Sequence, residues 1–149
     1  MIRRCLLLLV MLPAVLSPPV TAMAADRVLH LYSKDSCTWQ VKKDGSTGHL
    51  RYAPGHDQFS FQADKLPPAT AFALVNHLPG NKHGCIIAEG ISDPQGNLQL
   101  EGRWELWRGK FWLVLREDVE RGTRGDRLTA WHPDSYLFEE RVLGEDITN

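Results

Sequence analysis

After Met23 the chain has no methionine, and after Cys5 it has only two cysteines, Cys37 and Cys85. A blue-copper site combines two His, one Cys thiolate and a weak axial Met, so the missing thioether counts against that chemistry. No clustered basic excess runs along the chain, which argues against nucleic acid and gives no polybasic patch for an anionic membrane. No G-x-S-x-G, H-E-x-x-H, phosphate-binding loop or G-x-G-x-x-G is present. A Ser/His/Asp triad or a glycosidase carboxylate pair is recognised by geometry and stays open at this point. No window sustains a 3.6-residue apolar period, and no internal repeat, low-complexity tract or linker interrupts the chain.

The one long apolar stretch is N-terminal. Arg3 and Arg4 precede an apolar run from Cys5 to Leu12, then a Pro-rich break, then Ala22-Met23-Ala24. That order is the pattern of a cleavable signal peptide, and the run is shorter than the roughly 20 residues a bilayer span needs. Cleavage after Ala24 is expected, leaving residues 25–149 as one domain with no integral membrane segment, placed in the periplasm or outside the cell. Two of the 17 basic residues lie in the leader, so 15 basic residues face 18 acidic ones in the mature chain, a net of −3. In an oxidising compartment, an even pair of cysteines reads as one disulfide, Cys37–Cys85. It would close a loop of about 50 residues, worth on the order of 4 kcal/mol.

Gly, Pro, Asn and Asp punctuate the mature chain at short intervals. Between them lie short runs with period-two alternation, such as RVLHLYS (27–33), CTWQVKK (37–43), DQFSFQA (57–63) and NLQLEG (97–102). Eight or nine such strands predict an all-β fold, a single antiparallel β-sandwich with Greek-key-like connections. FWLVL (111–115) is apolar on both faces and predicts a central strand covered on both sides. Asp93-Pro94-Gln95-Gly96-Asn97 is the best-defined turn, with Gly96 suited to a left-handed conformation.

From about Ala69 onward the order of motifs is distinctive. It runs Phe72-x-Leu74-x-Asn76, Gly90, Asp93-x-x-Gly96-Asn97, Gly102, Trp112-Leu113, Asp118-Val119 and finally Trp131-x-Pro133-x-x-Tyr136-x-Phe138. This resembles a group of uncharacterised secreted β-rich modules that end in W-x-P-x-x-Y-L-F-E. The resemblance covers over half of the mature chain. It implies a secreted β-sandwich and carries over no catalytic residue.

Three constellations compete for a functional role. His77, His83 and Cys85 fall within nine residues of a predicted hairpin and form a candidate copper or zinc site. A Cys37–Cys85 bond would remove the thiolate, and the spacing is not that of structural zinc. Five tryptophans form the second constellation. Trp39, Trp112 and Trp131 are expected in the core, since aromatics dominate small β cores. Trp104 and Trp107 have opposite parity, so one should face out, and Trp107 is the candidate exposed anchor for a sugar ring or protein surface. The third is the charged run 116–126, which reads as a solvated loop because interleaved arginines do not suit a calcium site. The resulting expectation is an exported, non-enzymatic β-sandwich with no cofactor and a binding or structural role at the cell envelope, any partner being an unknown protein or glycan. A carbohydrate-binding module and a periplasmic copper- or zinc-binding protein are the alternatives.

Overall fold

The computed structural model describes residues 26–78 and 83–144. The expected leader, the hairpin tip from Pro79 to Lys82 and the last five residues lie outside them. Ten strands follow in chain order: β1 (Arg27–Tyr32), β2 (Thr47–Tyr52), β3 (Gln58–Asp64), β4 (Ala71–His77), β5 (Gly84–Ile91), β6 (Leu98–Arg103), β7 (Lys110–Leu115), β8 (Val119–Glu120), β9 (Arg127–Leu128) and β10 (Leu137–Glu139). The protein is all-β. Eight strands form one antiparallel sheet in the order β5-β4-β7-β10-β1-β2-β3-β6, and β8 pairs with β9 apart from it.

The two edges of this sheet, β5 and β6, come back to face each other, so the sheet is nearly a barrel. Glycine makes that closure possible. A Cβ on Gly90 of β5 would lie 2.7 Å from Leu100 Cδ2 of β6, and one on Gly102 would lie 3.2 Å from Ile87 O. Counted back from β6, the strands β6, β5 and β4 run in succession while β3 returns to lie beside β6. This is a Greek key, with the β5–β6 step made by the seam instead of a ladder.

Period-two burial builds the interior. In β3, Phe59, Phe61 and Ala63 point inward while Gln58, Gln62 and Asp64 point to solvent. The inner faces contribute Leu29, Leu31, Leu50, Phe61, Phe72, Leu74, Phe111 and Leu113, none with any exposed surface. Each such side chain stabilises the fold by about 1.5–3 kcal/mol relative to leaving it in water. The inner faces meet across the barrel as the two layers of a sandwich would. Leu66, in the β3–β4 connection, closes one end, its N–H donating to Gly96 O at 2.9 Å.

A second, outer layer covers one side. Residues 116–136 fold back over the outward face of β4, β7 and β10, burying Ala73, Val114, Val119, Tyr136 and Phe138. That explains why β7 is apolar on both faces. The charged run 116–126 is therefore not a simply solvated loop. Arg116 and Arg121 both hold Glu89, at 2.8 and 3.1 Å, and Asp126 accepts the N–H of Ile86 at 2.7 Å.

Two expected strands do not form. Residues 37–43 make a turn with a single bridge, Lys34 to Val41. Residues 104–109 form an irregular crossing at the barrel mouth.

Candidate functional site

The expected disulfide is not formed, and Cys37 and Cys85 are both free, exposed thiols. Cys37 follows β1, whereas Cys85 lies on β5 opposite Asn76. Three strands stand between β1 and β5 in the sheet. At about 4.8 Å per strand that is on the order of 15–20 Å, against the roughly 7 Å limit between Cα atoms for a disulfide.

The tryptophans exchange the roles expected of them. Trp107, the expected exposed anchor, caps the inner core. Its indole stacks on Tyr52 at 4.6 Å, meets Phe59 edge-on at 5.9 Å, and donates from Nε1 to His56 O at 3.0 Å. Trp104 is also partly buried against the core, with Nε1 bonded to Leu106 O at 2.9 Å. Strand parity does not apply to either, because residues 104–109 are not a strand. Trp39 and Trp131, expected inside, are 49% and 47% exposed.

Those two indoles belong to one aromatic face on the outer layer. Phe138 of β10 lies at its base, buried, beside the half-buried Trp112 of β7, with ring centroids 5.6 Å apart. Trp39 meets Phe138 edge-on at 5.3 Å, and Trp131 meets Trp112 at 6.0 Å and Tyr136 at 5.5 Å. Val41, 52% exposed, bridges to Lys34. Lys34 sits over Phe138 and Lys110 over Trp112, each with Nζ 5.9 Å from the ring centre, a distance at which ammonium and ring attract.

Local chemistry fixes each part of this face. The Asp35 carboxylate accepts the N–H groups of Cys37 and Thr38 at 3.0 and 2.8 Å and the Thr38 hydroxyl at 3.0 Å. Those bonds, led by Thr38, hold its carboxyl below the usual carboxylate range. The turn they form places Trp39 at a φ of +58°, a left-handed conformation that costs a non-glycine residue about 1–3 kcal/mol. Asp134 then ties this loop to the Trp131 segment, accepting from Ser36 Oγ at 3.0 Å and Lys42 Nζ at 3.1 Å.

Under Trp131 lies a polar triad that the sequence left scattered. Asp118 is 1% exposed. It accepts a short hydrogen bond from the Tyr136 hydroxyl and faces His132 Nδ1 at 2.9 Å. Burial, reinforced by Asp118, pushes the Tyr136 phenol well above its usual range, so it stays protonated as the donor. Asp118, Trp131, Pro133, Tyr136 and Phe138 are the later members of the motif quoted above, and the fold gathers them into this one cluster. Glu139, the next residue, is buried with Oε2 lacking a hydrogen-bond partner. Burial raises its carboxyl, and the attraction of Lys110 and Lys34 only partly offsets that.

The hairpin histidines do not meet in a ligand set. His77 stacks on Trp112 at 6.0 Å and 15°, and burial, then the charge of Lys110, lowers its pKa. His83 lies against Gly125. Burial and the nearby Asp126 raise the Cys85 thiol above its usual range, away from the thiolate a metal needs. Among the described residues no three His, Cys, Asp or Glu side chains converge as a metal site, and no helix is long and apolar enough to cross a membrane. An open concavity of about 720 Å³ lies over β2, β3 and β6 and is lined by Arg51, His56, Glu101 and Arg103 among others.

No protein-family model, curated protein or solved structure matches the chain.

Proposed function

We propose that the protein is an exported, non-catalytic binding module whose working surface is the aromatic face of Trp39, Trp112, Trp131 and Phe138. The observation that carries this reading is the pair of half-exposed indoles, Trp39 and Trp131, backed by a packed aromatic cluster. Tryptophan is favoured at binding hot spots because it supplies large contact area at low conformational-entropy cost. The left-handed backbone at Trp39 supports a functional role, since such strain persists where position matters. Lys34 and Lys110 border the face, which suits a protein partner with an acidic rim at the cell envelope. Export rests on the N-terminal Arg3-Arg4, the apolar run and Ala22-Met23-Ala24.

Co-purification from envelope extract tests the reading. A partner retained by the wild type and lost by both Trp39→Ala and Trp131→Ala supports it. Equal retention by all three proteins contradicts it. A carbohydrate-binding role is the second reading, favoured by the same exposed indoles, which can stack on sugar rings. Retention on polysaccharide that depends on Trp131 would select it over a protein partner.

A further inference from the structure

Two histidines 19 residues apart in sequence meet on the outer surface of the barrel. His30 of β1 stands in register with His49 of β2. The His30 backbone bonds away from β2: Glu140 N–H donates to His30 O at 2.8 Å, and His30 N–H reaches Glu140 Oε1 at 3.3 Å. His30 and His49 therefore form a non-hydrogen-bonded antiparallel pair, the position where side chains come closest. Their Nδ1 atoms are 2.8 Å apart and their rings nearly perpendicular, at 88°. Tyr32 stacks beside His30 at 6.2 Å. A hydrogen bond between them needs a hydrogen on one Nδ1 and a lone pair on the other.

The 2.8 Å separation is that of a hydrogen bond, so the two rings must turn slightly for both lone pairs to converge on a third atom. Two part-buried imidazoles held side by side on a strand pair are then a bidentate nitrogen donor. Among first-row divalent ions, Cu²⁺ binds nitrogen donors most tightly.

We propose that His30 and His49 form a two-nitrogen surface site for Cu²⁺, with water completing the coordination. On binding, the ring that donates from Nδ1 shifts its hydrogen to its own Nε2. Both Nδ1 lone pairs then face the ion, with no net proton release and no change of oxidation state. His49 also borders an open groove of about 470 Å³ with Thr47, Gln62, Asp64 and Asp93, so water reaches its ring. The two strands hold the pair in a continuous six-residue register, the rigid support that a metal site needs. The site shares no residue with the aromatic face and involves neither His77 nor Cys85.

Cu²⁺ titrated into the purified protein in a non-coordinating buffer, followed by electron paramagnetic resonance, tests this. One Cu²⁺ per chain with hyperfine structure from two nitrogens is expected. His30→Gln and His49→Gln should each weaken binding by more than the ~10–100-fold that loss of an outer-shell partner costs, while His77→Gln leaves it unchanged. Paramagnetic broadening of wild-type amide resonances provides a readout without any variant, and it should centre on residues 28–32 and 47–51. Broadening centred elsewhere, or equal affinity in the His30→Gln/His49→Gln double variant, overturns the proposal.

Discussion

Tyr136 shows how one hydroxyl organises the outer layer. It is fully buried and donates to the buried side chain of Asp118, so Tyr136→Phe leaves Asp118 short of a donor. Hydrogen bonds to charged groups are worth about 1.5–3 kcal/mol, and urea unfolding of Tyr136→Phe should show a loss of about 2 kcal/mol. Glu139 gives the opposite sign. Its carboxyl is raised by burial, so the fold favours the neutral form. That contribution is present below the usual value of 4.5 and is lost as pH rises through the raised value. Glu139→Gln mimics the neutral form and should raise the unfolding midpoint at pH 7, with the gain vanishing at pH 4. A variant less stable than wild type at pH 7 would refute this account of Glu139. The residue scale is also where the sequence was least informative. Trp39 and Trp107 have the same side chain, and only the turn at Asp35 and the crossing at 104–109 decide which one meets solvent.

Strands, in contrast, were largely legible as elements. Alternation in 27–33, 57–63 and 97–102 marks β1, β3 and β6, because one face of each is core and the other water. The doubly apolar 111–115 marks β7, because the returning segment 116–136 covers its outer face. CTWQVKK alternates too, yet folds as a turn, since the side-chain bonds of Asp35 capture its backbone before a ladder can. The His30–His49 pair was illegible because the 14-residue connection between β1 and β2 sets no register from sequence alone. The turn at Gly96 was legible. Its φ is +81°, and a Cβ there would press on Leu66 O. Gly96→Val should therefore cost more than about 2 kcal/mol by thermal unfolding, combining backbone strain with a blocked barrel end. In the β4–β5 hairpin, His77 has a lowered pKa from burial and Lys110. Its stabilising contribution is present above the usual 6.5 and is lost as pH falls through the lowered value. His77→Gln should flatten the fall of the unfolding midpoint below pH 6.5, and an unchanged slope would contradict the packing assigned to His77.

At the scale of the whole molecule, the outer surface divides into two adjoining regions. The sheet interior is filled by side chains, so recognition falls to the outer surfaces. The outward faces of β4, β7 and β10 carry a second layer with two half-exposed indoles, and the neighbouring β1, β2 and β3 carry polar side chains and the histidine pair. The all-β antiparallel class followed from strand rhythm and turn chemistry. The curling of one sheet into a near-barrel did not, because it depends on Gly90 and Gly102 letting β5 and β6 pass within side-chain contact. The central claim is that the aromatic side, and not the polar one, meets a partner. Site-specific photocrosslinking in intact cells tests it most directly, with the crosslinker placed at Val41 beside Trp39 or at Gln62 on the polar face. The account predicts a discrete protein adduct from position 41, abolished by Trp131→Ala, and none from position 62. Adducts from position 62 alone, or none from position 41, would contradict it.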